Sequence, residues 1–157
     1  MKRYEVQWID ENKLKLTGTI DENFVFDEEV AKFKGEVWID LRGVERINSC
    51  GVREWIKAIL KTEAKIHFIN CSSVIVSQFS MIPEFLGKHG AVDSFETQFV
   101  CDHCGHEESK ILVVGKDIQP GQEIYEEGPE LQCSECGEMM ECDHNPELYF
   151  SFLSEVG

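Results

Sequence analysis

The sequence predicts an α/β fold, a mixed and mostly parallel sheet with packed helices, followed by a small β-rich unit held by a metal ion. Three observations predict it. Short apolar runs alternate with helix-period stretches in the first hundred residues, and two Cys-x-x-Cys-Gly motifs follow them. Residues 1–100 carry 13 basic and 16 acidic residues, whereas residues 101–157 carry 2 basic and 14 acidic ones. Because the changes in charge and cysteine content coincide, we predict two domains, 1–99 and 100–157.

The first elements are a hairpin and a short helix. Tyr4, Val6 and Trp8 alternate with polar residues, which predicts a strand over 3–9 paired with a second one over 13–20. Asp27 is expected to cap a short helix over 28–33. Further along the chain, the pattern predicts strands over 36–41 and 65–70, a helix over 72–80, a helical turn over 83–86 and a last strand over 95–99.

A central strand and a long helix form the middle of this unit. The continuous apolar run over 36–41 is typical of a strand buried on both faces. Val52, Trp55, Ile56 and Ile59 then recur at helical spacing and predict an amphipathic helix. Asn48 or Ser49 can accept hydrogen bonds from the free amides of its first turn.

The start of this helix resembles a known family. Residues 39–52 read Ile-Asp-Leu-Arg-Gly-Val-Glu-Arg-Ile-Asn-Ser-Cys-Gly-Val. A strand that ends in aspartate, a loop, and an Asp-Ser-Ser-Gly-Leu type segment that opens a helix form the signature of STAS domains, the fold of anti-sigma-factor antagonists. The chain is similar to that family in element order over about residues 1–99.

The resemblance implies a regulatory function without catalysis. A serine at the helix start is phosphorylated there by a partner kinase, and Ser49 is the matching position; its neighbours Asn48, Cys50 and Gly51 complete the partner-binding loop. The implied partner is an anti-sigma factor or a related switch kinase. This chain departs from the pattern, because Asn48 replaces the aspartate and Cys50 the second serine. The alternative for Ser49 or Asn48 is a simple helix cap.

Four cysteines form the strongest chemical signal. Cys101 and Cys104 lie in one Cys-x-x-Cys-Gly motif, and Cys133 and Cys136 lie in the other. Four thiolates at this spacing predict a closed tetrahedral zinc site in a zinc-ribbon unit. Iron in a rubredoxin-like electron carrier is the alternative metal, and disulfides are disfavoured in a reducing cytoplasm. Outside this set, Cys142 and His144 are spare candidate ligands, and His103 and His106 flank the first motif.

The remaining β-rich elements surround these motifs. The sequence predicts a strand over 110–114 and a turn over 119–122. Residues 131–132 lead into the second motif and residues 139–142 lead out of it. A short helix is predicted to begin at Pro146, with Leu148, Phe150, Phe152 and Leu153 as its apolar residues.

The amino-acid composition limits the classes of molecule that the chain is expected to bind. The formal net charge of −15 argues against a nucleic-acid binder and an anionic membrane surface. No apolar run reaches the length of a membrane span, and no apolar segment follows the basic start as in a signal peptide, so we expect a cytoplasmic protein.

Three functions remain open after this reading. No acid, base and nucleophile are assembled by a known motif, so we expect no enzyme. The first function is a regulatory protein that acts through protein–protein interaction. The alternatives are an iron electron carrier and an interaction module without a phosphorylation switch.

Overall fold

A computed structural model describes residues 2–119 and 128–155 of the chain. In chain order, the strands and helices are β1 (Tyr4–Trp8), β2 (Lys13–Ile20), α1 (Asp27–Val30), β3 (Glu36–Ile47), α2 (Ser49–Ile59), β4 (Lys65–Ile69), α3 (Ser73–Met81), a 3-10 helix (Pro83–Leu86), β5 (Gly90–Val92), β6 (Ser94–Val100), β7 (Glu107–Val113), β8 (Leu131–Gln132), β9 (Met139–Cys142), α4 (Pro146–Tyr149) and a last 3-10 helix (Ser151–Glu155).

The first sheet has five strands in the order β1-β2-β3-β4-β5. The β1–β2 hairpin is antiparallel, and the other three neighbouring pairs are parallel. This confirms a mixed, mostly parallel sheet with helices. Because successive parallel connections are right-handed and step in one direction, the helices collect on one face of the sheet.

The main core lies between this face and the helices. Side chains from the strands, such as Leu14, Ile39 and Phe68, share one buried cluster with residues of α2 and α3. Trp55 of α2 stacks on Phe85, with ring centroids 4.8 Å apart, and its indole N–H donates to the Phe85 carbonyl at 2.8 Å. The polar atom of the largest core side chain is therefore satisfied.

Two local predictions in this unit need correction. The strand predicted over 36–41 continues to Ile47, because β2 pairs with it along that length across two register shifts. Asp27 does not cap α1: the N-cap residue is Phe26, with no side-chain cap bond, and the helix ends at Val30. Asp27 instead forms an ion pair with Lys61, in which Oδ1 of Asp27 lies 2.7 Å from Nζ of Lys61.

The predicted last strand is present, but it belongs to the second sheet. β6 pairs with β7 and β9 in the order β7-β6-β9-β8, whereas the unpredicted β5 completes the first sheet. The prediction that 95–99 completes the parallel sheet is therefore wrong, apart from one parallel bridge between Cys71 and Phe95. The domain boundary near residue 100 stays a prediction. The turn expected over 119–122 lies mostly outside the described residues.

The C-terminal helices pack on the first unit. The Ser80 hydroxyl of α3 donates to the Tyr149 carbonyl at 2.8 Å, and Phe150 and Phe152 join the main core. A helix starting at Pro146 is confirmed as α4. Of the apolar residues expected there, Leu148 is 66% exposed, because Tyr149 takes the buried position on this turn.

Candidate functional site

The four predicted cysteines meet in one cluster. The sulfur atoms of Cys101, Cys104, Cys133 and Cys136 all lie within 4.8 Å of one another. Cys101 Sγ lies 3.5 Å from Cys136 Sγ, and Cys104 Sγ lies 3.6 Å from Cys133 Sγ. A tetrahedral ion with metal–sulfur bonds of about 2.3 Å needs sulfurs about 3.8 Å apart. The cluster therefore fits one tetrahedral metal ion.

The sheet topology brings the two motifs together. β9 lies between β6 and β8 and is antiparallel to both, so β6 and β8 run in the same direction. Cys101 follows β6 and Cys133 follows β8. The first cysteine of each motif therefore emerges at the same edge of the sheet.

A glycine shapes each turn around the sulfurs. Gly105 and Gly137 have φ angles of +79° and +80°, a region that favours glycine. The chain can then turn so that the N–H of His106 reaches the Cys104 sulfur, and the N–H of Glu138 reaches the Cys136 sulfur. The two motifs thus repeat one hydrogen-bonding pattern, as expected for a pair of metal knuckles.

The thiols of each motif differ in acidity. The N–H of Cys104 lowers the pKa of Cys101 to about 7. Around Cys136, the Glu138 N–H favours the thiolate, but the three other cysteines outweigh it and raise the pKa of Cys136 to about 12. Four thiolates so close together repel one another, so full ionisation requires a cation among them.

The small core beside the cluster contains few side chains. Phe99 and Met140 are buried together with Cys101 and Cys133. The other two cysteines, Cys104 and Cys136, are exposed. The four sulfurs support a metal site without distinguishing zinc from iron.

The spare candidates lie outside the cluster. His144 stacks on Tyr149 with ring centroids 3.7 Å apart, and its Nε2 accepts the Gln98 N–H at 3.1 Å. Burial raises the pKa of the half-buried Cys142 thiol to about 11. His103 is exposed, and His106 Nε2 lies 3.2 Å from a Glu108 carboxylate oxygen. Among the described residues, only the four cysteines form a metal-binding group.

The helix start has a defined cap. Asn48 is the N-cap residue of α2, and its Oδ1 accepts the Gly51 N–H at 2.8 Å. Its Nδ2 donates to Glu22 at 3.1 Å. Asn48 rather than Ser49 therefore supplies the expected cap. Ser49 and Cys50 are exposed.

Gly51 has a packing role that explains its identity. It is buried, and a Cβ at this position would overlap the carbonyl oxygen of Ile20. Glycine allows the first turn of α2 to lie directly against the end of β2.

A groove opens beside Ser49 on the outer face of α2. Its volume is about 740 Å³, and Val52, Ile56 and Ile82 contribute apolar side chains to it. The other lining residues are Ser49, Arg53, Lys57 and Gln78. Sequence reasoning missed the contribution of α3, because only the tertiary packing brings the end of that helix beside α2. The four-residue spacing of Gln78 and Ile82 places them on the same side of that helix end, but it does not show which element packs beside them.

Comparisons with known proteins add no assignment. No family model matches the chain, and neither the curated proteins nor the solved structures contain a match. Within residues 2–119 and 128–155, no helix has the length and apolar character needed to cross a bilayer.

Proposed function

We propose that the chain is a non-enzymatic, STAS-like regulatory protein that binds a protein partner through the groove beside Ser49. A zinc ion would hold its acidic C-terminal unit together. The groove carries the proposal, because it places an apolar surface next to the position that the resemblance assigns to the regulatory serine. The implied partner is an anti-sigma factor or a switch kinase in the cytoplasm.

The groove has the chemistry of a protein-binding surface. Val52, Ile56 and Ile82 supply apolar contact area, and Arg53 and Lys57 carry positive charge beside it. Both cations are exposed, and neither forms an ion pair within the described residues. In a chain of net charge −15, they favour a partner segment with apolar side chains and adjacent carboxylates.

Ser49 is well placed for a charge switch. Asn48 already caps α2, so the exposed Ser49 hydroxyl is not needed for that purpose. A phosphate there would lie at the positive end of an eleven-residue helix and one turn before Arg53. It would add about −1.5 to −2 charges and repel an acidic partner from the groove.

A photo-crosslinking experiment tests the groove. A photoreactive residue at Ile56 should capture the partner in cells, whereas one at Leu60 should not. Leu60 is a matched control, because it follows α2 directly, is 40% exposed and lies outside the groove. Equal capture at both positions, or none at Ile56, contradicts the proposal.

Substitutions at Ser49 test the switch separately. We expect Ser49→Asp to abolish capture at Ile56, whereas Ser49→Ala retains it. Mass spectrometry should find phosphate on Ser49 after incubation with the captured kinase. If both variants bind equally and no phosphate is found, the chain is an interaction module without a switch.

Metal analysis decides between zinc and iron. We expect a colourless protein with about one zinc ion per chain, because a closed set of four thiolates is typical of structural zinc sites. A red protein with visible absorption and one iron ion per chain would instead support the electron carrier.

A further inference from the structure

The second sheet has one face that contributes to neither buried cluster. Phe95, Phe99 and Met140 point to its other face and are buried there. Because side chains alternate along a strand, Val100 of β6 and Glu141 of β9 point away from both clusters. We call this surface the Glu141 face; it comprises Glu96, Val100, Glu107, Ile111, Met139 and Glu141.

The Glu141 face is open and partly apolar. None of its six residues is buried, and none packs against a buried cluster of the described residues. Met139 is 54% exposed, and Val100 and Ile111 are half-buried. Within residues 2–119 and 128–155, the sheet therefore presents apolar side chains that no other element covers.

The charges on this face all have one sign. Val100 is the register partner of Glu107 on one side and of Glu141 on the other, and Glu96 lies further along the same strand. The only basic residue in the four strands is Lys110, which pairs with the buried Thr97 and points to the other face. None of the three glutamates takes part in an ion pair of the described residues.

The carboxylates at one end of the face repel one another. Asp102 above all, and Glu130 to a lesser extent, raise the pKa of Glu141 above its ordinary value through their negative charges. No lysine or arginine of the described chain relieves this repulsion. A cation supplied from outside the chain would do so.

The arrangement fits several separate cations better than one metal ion. Glu107 and Glu141 lie on the two strands that flank β6, so their backbones are about 10 Å apart. Among the described residues, only the four cysteines come close enough together to hold a single ion. Residues 120–127 of the chain contain three glutamates and no basic residue, so their composition does not complement the face either.

We propose that the Glu141 face binds a basic segment of a protein partner in which lysine or arginine side chains alternate with apolar ones. The basic groups complement the separated carboxylates, and the apolar ones cover Val100, Ile111 and Met139. The same charges repel nucleic acid and anionic membrane surfaces.

This face is independent of the groove beside Ser49. The groove is formed by α2 and the end of α3, and its cations Arg53 and Lys57 favour a partner of the opposite charge. Loss of either interaction would therefore leave the other intact.

A peptide titration tests the Glu141 face. The probe is a fluorescein-labelled dodecapeptide that repeats Lys-Lys-Val-Val, added to the full metal-loaded chain at about 0.15 M salt, where charges more than about 8 Å apart are largely screened. We expect saturable binding by fluorescence anisotropy. It should weaken at least tenfold in Glu107→Lys/Glu141→Lys and at least threefold in Glu107→Gln/Glu141→Gln, which disturbs folding less.

Two further variants are matched controls. Glu11→Lys/Glu28→Lys makes the same charge change at exposed glutamates of the first unit and should alter the affinity less than twofold. Met139→Ser removes an apolar side chain from the face and should weaken binding at least threefold. Val25→Ser removes a similarly exposed apolar side chain elsewhere and should have no effect.

Four results would overturn the proposal. The first is the absence of saturable binding to the native chain. The second is equal weakening by Glu11→Lys/Glu28→Lys, which indicates general charge attraction. The third is equal binding of a peptide that repeats Glu-Glu-Val-Val, which shows that charge is not recognised. The fourth is self-association of the chain that Glu107→Lys/Glu141→Lys removes, which assigns the face to a second copy.

Discussion

The two sheets of this molecule are stabilised in different ways. The first sheet packs many large side chains between its strands and helices, with Trp55, Phe26 and Phe85 stacked at its centre. Among the described residues, the sulfur end of the second sheet has four buried residues in its own cluster, Phe99, Cys101, Cys133 and Met140. Two of these four are candidate metal ligands.

The difference shows that the length of a segment decides whether buried apolar side chains alone can stabilise it. A long segment can bury enough apolar area to fold without help, whereas a short segment usually needs a metal ion or disulfides. The 14 acidic residues within 101–157 repel one another and further destabilise this short segment. We therefore expect the two regions to respond differently to the same perturbations.

Loss of the metal should show the difference in stability between the two regions most clearly. In Cys133→Ser, we expect loss of bound metal and of hydrogen-exchange protection in β8 and β9, while β3 and β4 remain protected. The reason is that metal binding to four thiolates contributes on the order of 10 kcal/mol of apparent free energy. Amide exchange followed by NMR measures both regions at once.

Cys142→Ser is the matched control for that variant. Cys142 contacts both buried clusters but lies outside the four-sulfur group, so metal content should remain at one ion per chain. Loss of metal in this variant, or loss of protection throughout the chain in Cys133→Ser, would contradict the comparison.

A large cavity in the main core should destabilise the first sheet and leave the metal site intact. Trp55→Ala removes a fully buried ring and the hydrogen bond to Phe85, so we expect a loss of about 3–5 kcal/mol in the free energy of unfolding. Metal content should not change. Urea denaturation followed by circular dichroism gives the difference.

The helix cap should contribute a smaller amount. Asn48→Ala leaves the Gly51 N–H without its acceptor and should destabilise the first unit by about 1 kcal/mol in the same denaturation assay. Asn48→Ser keeps an acceptor at the cap and should recover most of this loss. If both variants are equally destabilised, the hydrogen bond to Glu22 is the important contact.

The smallest expected effect depends on pH and lies in the second sheet. Burial lowers the pKa of His144 below its ordinary value of 6.5, so the folded state binds this proton less readily than the unfolded state. The stability present above pH 6.5 is therefore lost as the pH falls from 6.5 towards the lowered pKa. Protonation of Nε2 also removes the acceptor for the Gln98 N–H.

Exchange of the Gln98 amide measures this effect. Its protection factor should fall between pH 7.0 and pH 5.5 in the native chain. In His144→Phe, which keeps a ring on Tyr149, protection should be lower at pH 7.0 and should change less with pH. An unchanged pH dependence in that variant would refute the assignment.

Sequence patterns predicted the elements better than their partners. The alternation of Phe95, Thr97 and Phe99 correctly identified a strand, but alternation shows only that one side is buried and not which sheet provides the neighbours. β5 was missed, because three residues that begin with glycine give too short a pattern. The pairing of Trp38 with His67 depends on strand register and could not be derived from either segment alone.

The candidate metal centre was predictable for a chemical reason. Cysteine pairs at this spacing combine rare residues with a fixed turn, so Cys101, Cys104, Cys133 and Cys136 could be identified before any topology was known. Ser49 was identified only through resemblance. Its groove could not be predicted, because Gln78 and Ile82 come from a helix whose packing depends on the whole sheet.

The position of β6 has a practical consequence for dividing the chain. Phe95 packs in the main core and Phe99 in the small one, so this strand contributes to both. A fragment ending at residue 99 would keep β6 but lose β7 and β9, leaving two unpaired edges with exposed aromatic side chains. Such edges promote aggregation. A fragment that stops before β6, near Asp93, would avoid this hazard, although it would also lose the aromatic side chains that Phe95, Phe150 and Phe152 add to the larger core.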